Sequence, residues 1–161
     1  MDSRIRIGQG WDRHALKKGR PLVLMGVKID SSVGPVSHSD GDVIAHVVSD
    51  AILGACSSGD IGSLFPDDQS WTEGISGTEL LNKTLEFVNQ EKTISIIQVD
   101  VIVKLEEPRL SPYVGIIEEN LSLALDAESV RVTARHGEGV GAIGRGECID
   151  ASAIILIRSK E

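Results

Sequence analysis

Two cysteines among 161 residues, Cys56 and Cys148, with no CxxC spacing, exclude a disulfide framework and a cysteine-rich zinc site. Aromatic side chains make up only 3% of the chain, too few for a base-stacking platform. Positive charge is also short. The 16 Lys and Arg against 24 Asp and Glu leave a net charge of −8, which excludes a protein built to grip a nucleic-acid backbone. No apolar run approaches the length of a bilayer span, and Ala153–Ile157 is among the longest. Repeats and low-complexity runs are missing. No secretory signal or transit pattern is legible, so the expected location is the bacterial cytoplasm, and a processed plastid enzyme would read the same. What is present is a globular composition, 41% hydrophobic and 25% charged, at a length that fits one domain over residues 1–161.

Periodicity predicts the elements. Ile5–His14 alternates around Gly8 and Gly10 and reads as a strand with a close backbone approach. Leu22–Ile29 reads as a second strand after the Gly19-Arg20-Pro21 turn, and residues 30–39 as a polar loop with Gly34 and Pro35. From Asp42 to Ser57 the residues Val43, Val47, Ala51, Leu53 and Gly54 fall at helical spacing, with Ser39 or Asp40 as the expected cap. Residues 59–77 read as a long loop, of the kind that is functional or disordered. A helix is expected over Thr78–Asn89 and the clearest strand over Ile94–Leu105. Pro112 is expected at position N1 of a helix reaching Leu125. Val130–Ala134 and Ala151–Arg158 read as strands, separated by the glycine-dense segment 137–146. This order predicts an α/β (α+β) sandwich, a mixed β-sheet with helices packed on one face.

Asp12 and His14 are two apart on a strand and therefore project to one side. His46 lies on the following helix. An Asp and two His make a three-ligand set with an open position, as in a catalytic zinc site. A hydrogen-bonded His–Asp pair beside a surface His is the other reading of the same spacing. His38-Ser39-Asp40-Gly41-Asp42 stands at the mouth of the helix, where free N–H groups favour anions, though Ser and Asp are also ordinary caps. Asp60-Ile61-Gly62 and Phe65-Pro66-Asp67-Asp68 put carboxylates in the long loop, as ligands for a ribose or hard cation or as a solvated surface. Glu106-Glu107-Pro108-Arg109 follows the best strand as a polar turn. Arg135-His136-Gly137-Glu138 opens the glycine-dense segment, where successive N–H groups make either an anion nest or a surface hairpin. All four His of the chain sit in these segments.

Taken in order, Gly8-Gln9-Gly10-Trp11-Asp12-Arg13-His14, Gly19-Arg20-Pro21-Leu22, His38-Ser39-Asp40-Gly41-Asp42-Val43, His46, Asp50-Ala51-Ile52-Leu53-Gly54-Ala55, Gly59-Asp60-Ile61-Gly62, Phe65-Pro66-Asp67 and Gly144-Arg145-Gly146-Glu147 resemble the 2-C-methyl-D-erythritol 2,4-cyclodiphosphate synthase family. The likeness covers almost the whole chain. It implies a homotrimer around a central channel, with active sites between neighbouring subunits. It implies a reaction in which the 2-phosphate of 4-diphosphocytidyl-2-C-methyl-D-erythritol 2-phosphate attacks the β-phosphate and CMP leaves, in the non-mevalonate route to isoprenoids. By resemblance Asp12, His14 and His46 hold zinc, and Glu138 holds a second divalent cation, magnesium or manganese. Arg13, His38, Ser39, Asp60, Ile61, Gly62, Phe65, Pro66, Asp67, Asp68 and Gln69 match substrate-contacting positions, with His38 near the reacting phosphates. Leu105, Pro108, Arg109, Leu110 and Ser111 match the cytidine pocket of the neighbouring subunit, with Arg109 where the family usually has Lys.

Two departures stand out. The family's threonine run before the acidic metal ligand is replaced by Arg135, His136 and Gly137. Arg135 would supply a bidentate phosphate contact and His136 a further donor, which keeps both among the catalytic candidates. Ala142 stands where the family usually has Phe near the trimer axis. The wider opening argues against an isoprenoid diphosphate in the channel, although Arg145 and Glu147 remain. Two other functions fit the same residues: a metal-dependent phosphodiesterase or nucleotide hydrolase using bound water, and a non-catalytic trimeric scaffold for isoprenoid phosphates.

Overall fold

A 16-residue strand, β1 (Ser3–Lys18), anchors the fold in the computed structural model, which describes residues 3–66 and 68–160. It pairs antiparallel with β7 (Cys148–Lys160) on one side and with the short β4 (Val33–Pro35) on the other. β7 pairs antiparallel with β5 (Thr93–Lys104), and β5 runs parallel to β6 (Ser129–Arg135). The sheet order is β4-β1-β7-β5-β6, a mixed sheet as expected. The parallel pair requires a crossover, and α4 (Val114–Leu125) supplies it.

The helices cover one face. α1 (Val43–Cys56) lies on β1 and β7, with α3 (Gly77–Glu91) beside it. Ala151, Ala153, Ile155 and Ile157 of β7 and Val99, Val101 and Val103 of β5 point into the same core as Ile52, Leu53, Leu81, Ile117 and Leu121 of the helices. Among the described residues, no helix packs on the other face of the sheet. Ile5, Ile7, Trp11, Ile102 and Ile154 project from it and are 39–69% exposed.

α1 has the helical spacing expected and is buried on nearly every side. It begins at Asp42, not at Ser39 or Asp40. Asp42 Oδ1 accepts from the N–H groups of Ile44 and Ala45, both at 3.1 Å. Ser39 and Asp40 shape the turn before it by accepting from Gly41 N and Asp42 N. The helix ends where Ser57 turns left-handed, and Arg6 and Lys92 donate to the carbonyls of Ala55 and Cys56, cations placed against the negative end of the helix.

Four expectations are corrected. The strand expected over Leu22–Ile29 is a hairpin, β2 (Leu22–Leu24) and β3 (Val27–Ile29), because Met25 and Gly26 both take positive φ in a two-residue turn. Met25 accepts that conformation with its N–H donated to the buried Asp42 carboxylate at 2.5 Å and its carbonyl receiving Asn120 Nδ2. The polar loop after it contains β4. The long loop contains α2 (Ile61–Leu64) and a 3-10 turn at Ser70–Thr72. Pro112 lies in a separate 3-10 turn, Ser111–Tyr113, ahead of α4. A last short helix, α5 (Gly141–Gly144), sits inside the glycine-dense segment.

Candidate active site and metal centre

Two glycines bring the helix to the strand. A Cβ on Gly10 would stand 2.0 Å from Val47 O, and one on Gly8 would stand 1.8 Å from Ala51 O. With no side chain there, the backbone of α1 rests directly on β1. His46, one turn into the helix, then reaches two polar side chains that β1 projects on that face, Asp12 and His14. Asp12 Oδ2 lies 2.8 Å from His46 Nδ1 and 2.9 Å from His14 Nε2, and the two ring nitrogens are 3.2 Å apart.

These three atoms form a small triangle around one point. Ligands about 2.05 Å from a tetrahedral zinc ion lie about 3.3 Å from one another, so the observed edges of 2.8, 2.9 and 3.2 Å are within about half an ångström of a coordination face. The donor set, one carboxylate and two imidazoles, suits a borderline divalent cation and leaves further positions open. The electrostatics agree. Burial works to raise the Asp12 carboxyl, but the two imidazoles outweigh it and hold Asp12 well below the usual carboxylate range. Burial likewise opposes charge on His46, and Asp12, with Asp42 and Asp40 behind it, raises its pKa nonetheless. The site is built to accumulate positive charge beside a carboxylate.

The outer nitrogen of His46 is also fixed. Ser39 Oγ lies 2.9 Å from His46 Nε2, and it accepts from Gly41 N at 3.1 Å. A histidine whose second nitrogen is held in this way presents the first in one orientation. Asp42 sits one turn below. It is fully buried, and burial lifts its carboxyl to about 7 against the pull of its backbone N–H partners.

A cavity of about 490 Å³ opens above the triad. Asp12, His14, His46, Ser37, His38 and Ser39 give it a polar floor and wall. Ile61, Gly62, Phe65, Thr72, Ile75 and Leu80 cover the opposite side. The cover has its own apolar cluster, Phe65, Ile75 and Leu80 packed with Ile61 and Leu64. It is tied back to α1, where Asp50 Oδ1 accepts from Ile61 N at 2.8 Å. Asp60 caps α2 by accepting from Ser63 N and Ser63 Oγ. Asp68 is exposed and accepts from Gln69 Nε2, while Pro66 supplies a carbonyl to Thr72. Asp67 lies outside the described residues.

The remaining candidates gather elsewhere. Leu105 N donates to Arg135 O at 3.0 Å. Glu106 takes the N–H groups of Gly137 and Gly139 at 2.6 and 3.2 Å, so the anion nest foreseen in this segment is filled by the chain's own carboxylate. Between those two N–H groups Glu138 is held at φ +54°, with its side chain 80% exposed and 3.3 Å from His136 Nε2. The Arg135 side chain is exposed and donates to the carbonyl of Ala134 at 3.4 Å. Leu105 and Leu110 point into the core, so their backbone alone faces outward, while Arg109 and Ser111 are exposed and Pro108 follows a cis bond.

Register fixes how far apart the two groups lie. Arg13 pairs with Asp150, Asp150 with Lys104, and Lys104 with Arg135. The triad and the 135–138 segment therefore share one end of the sheet but stand three strand spacings, about 14 Å, apart. Arg13 alternates to the helix-free face, where it pairs with Asp150 at 2.7 Å over the Trp11 ring. Arg145 is engaged by Glu147 through two contacts of 2.8 and 3.1 Å, and Ala142 is half-buried in α5. Sequence reading missed Thr72, Asp50 and the loop-holding role of Glu106. Each acts on a partner outside its own element, and a lone polar residue gives no local signal of that.

The model of the YgbB family matches residues 5–158. A 2-C-methyl-D-erythritol 2,4-cyclodiphosphate synthase of Brachyspira hyodysenteriae is 42% identical over 156 residues, 96% of this chain and 98% of that protein. The bifunctional IspDF of Campylobacter jejuni superposes with a TM-score of 0.92 at 33% identity, covering 99% of this chain and 44% of that one. The CDP complex of IspF from Plasmodium falciparum superposes with a TM-score of 0.82 at 35% identity, covering 98% and 97%.

Proposed function

This chain belongs to the YgbB family, that of the 2-C-methyl-D-erythritol 2,4-cyclodiphosphate synthases, and from that premise we propose how its residues carry out the reaction. It is a phosphorus–oxygen lyase of isoprenoid biosynthesis. It converts 4-diphosphocytidyl-2-C-methyl-D-erythritol 2-phosphate to the 2,4-cyclodiphosphate and CMP. An oxygen of the 2-phosphate bonds to the β-phosphorus, and the bond from that phosphorus to the bridging oxygen breaks. CMP departs with the electron pair. The nucleophile is already an anion, so no strong base is needed, and the obstacles are charge and geometry.

The observation that carries the reading is the Asp12–His14–His46 triangle, with edges of 2.8, 2.9 and 3.2 Å, at the floor of the cavity. These residues would hold zinc, and the exposed carboxylate of Glu138 would hold magnesium or manganese. Bound cations supply neutralisation of phosphate charge and a template for in-line attack. The chain supplies the rest. Ser39 orients His46. His38 faces the same cavity and stabilises charge on the reacting phosphates. Phe65, Ile75 and Leu80 keep water from the β-phosphate, which favours ring closure over hydrolysis. Arg135 grips the diphosphate where the family has threonine, with His136 as a second donor.

A single chain leaves these halves about 14 Å apart, so we assign the complete site to the junction of two copies. The bare sheet face with Ile5, Ile7, Trp11, Ile102 and Ile154 supports association into a trimer. In that arrangement residues 105–111 of one copy take the cytidine of a substrate seated on the next. With Arg145 paired to Glu147 and Ala142 in place of an aromatic ring, no isoprenoid ligand is assigned to the central channel. No described helix is long and apolar enough to cross a membrane, and a cytoplasmic setting fits the reading.

Mixing two inactive variants tests the shared site. His46→Ala and Glu138→Ala, each without CMP release alone, should together recover about a quarter of wild-type activity. A random half-and-half trimer has one junction in four with both residues intact. No recovery after confirmed subunit exchange contradicts the shared site, and a wild-type protein that releases no CMP contradicts the function itself.

A further inference from the structure

Thr72 belongs to no motif read from the sequence, yet it is 1% exposed and lies against the cavity. Its Oγ1 is 2.6 Å from the carbonyl of Gln69 and 2.8 Å from that of Pro66. Carbonyl oxygens only accept, so the single hydroxyl proton is committed to them. The third neighbour of the same oxygen is His38 Nε2, at 3.2 Å. With its proton in use, Thr72 can only accept there, and His38 Nε2 must carry the hydrogen. The backbone reinforces the contact on both sides. Gly74 N donates to His38 O at 2.9 Å, and Asp40 N donates to Ile75 O at 3.0 Å.

We infer that Thr72 is a positioning residue for the cyclisation and acts through His38. It holds the Nε2–H of that ring and leaves the Nδ1 edge for the reacting phosphates, to which Nδ1 donates when the ring carries its second proton. Phe65, Ile75 and Leu80 line the same cavity beside Thr72, so the residues that exclude water and the residue that holds His38 share one wall. The inference rests on the function proposed above for the role given to His38, and on the hydrogen-bond geometry alone for the contact.

A double-mutant cycle tests the coupling. Thr72→Val keeps the shape and removes the hydroxyl. It should lower kcat about tenfold with KM changed less than about threefold, and Thr72→Ser should restore kcat to within about threefold of wild type. In a His38→Ala background the same Thr72→Val change should cost less than twofold. An equal loss in both backgrounds, or no rescue by Ser, overturns the inference and makes Thr72 a structural residue only. Should Thr72→Val fail to fold, Thr72→Ala takes its place in the cycle. The contact is read without turnover by ¹⁵N-edited NMR, in a chain with only four His. Exchange of the His38 Nε2 proton should be at least about tenfold faster in Thr72→Val than in wild type or Thr72→Ser. Equal exchange in all three overturns the contact. A wild type with the slow proton but no cyclic product sinks the proposed function instead.

Discussion

Replacing Gly10 with Ala should damage the metal centre from beneath. The new Cβ would meet Val47 O at 2.0 Å, and real Cβ contacts essentially never fall under 3.0 Å. Strand and helix must therefore separate by about 1.0 Å, the difference of those two values. The obstruction is backbone, so no rotamer change relieves it, and the cost sits at the upper end for overpacking, about 3 kcal/mol. Coordination tolerates only about 0.2 Å of displacement. A retreat of α1 by five times that distance takes His46 Nδ1 away from Asp12 and His14, and zinc affinity should fall on the order of 100-fold. Gly54→Ala on the same helix is the control. Its Cβ would find nothing nearer than Gln9 O at 4.0 Å, so it should stabilise by about 0.5–1 kcal/mol through helix propensity and leave the metal site intact. Chelator competition for zinc and urea unfolding read both effects. A Gly10→Ala protein within twofold of wild-type affinity and within 1 kcal/mol of its stability would refute the reasoning.

Asp42 gives a pH dependence. Its folded-state carboxyl, lifted by burial from 3.8 to about 7, keeps its proton while the unfolded chain releases it. Stability should therefore fall as pH rises from about 4 to about 7, by on the order of 4 kcal/mol from this group. Urea unfolding of Asp42→Asn should lack that component, and parallel curves for the two proteins would contradict the assignment. Ser39→Ala should weaken zinc binding about 10–100-fold while the fold persists, and unchanged affinity in a chelator titration would remove Ser39 from the orientation of His46. Arg135→Ala should slow turnover at least about tenfold without moving the unfolding midpoint, because the exposed side chain makes a long contact, 3.4 Å, to its neighbour's carbonyl. An unchanged rate would sink its phosphate role.

How much could be read in advance depended on how local each feature is. The β1 alternation, the paired glycines Gly8 and Gly10, the β-branched run of β5 and the amphipathic α3 are visible at short range, and all four are found in the structure. Asp12 and His14 were legible because a strand repeats every two residues. His46 joined them because a strand followed by a helix, with glycines between, leaves few other ways to pack. The Met25–Gly26 hairpin was not legible, since Met is a poor marker for a left-handed turn and is held there by Asp42, 17 residues away. The cap of α1 was misread because Ser39, Asp40 and Asp42 are all good acceptors, and only the three-dimensional turn decides between them. α2 and β4 are too short for periodicity to reveal. The grouping of Arg135–Glu138 with residues 105–111 follows from the parallel β5–β6 register, which no local pattern encodes. Thr72 and Glu106 work on residues 34 and 31 positions away.

On the function proposed above, the site over Asp12, His14 and His46 closes a phosphate ring and does not admit water. Phosphorus NMR of the purified protein with the diphosphocytidyl substrate, zinc and magnesium tests it most directly. CMP together with a cyclic diphosphate should appear, and both should be lost when a chelator is added. CMP together with an open-chain phosphate product would mean that water is the nucleophile and would contradict it, as would unconsumed substrate in the presence of the zinc-loaded protein.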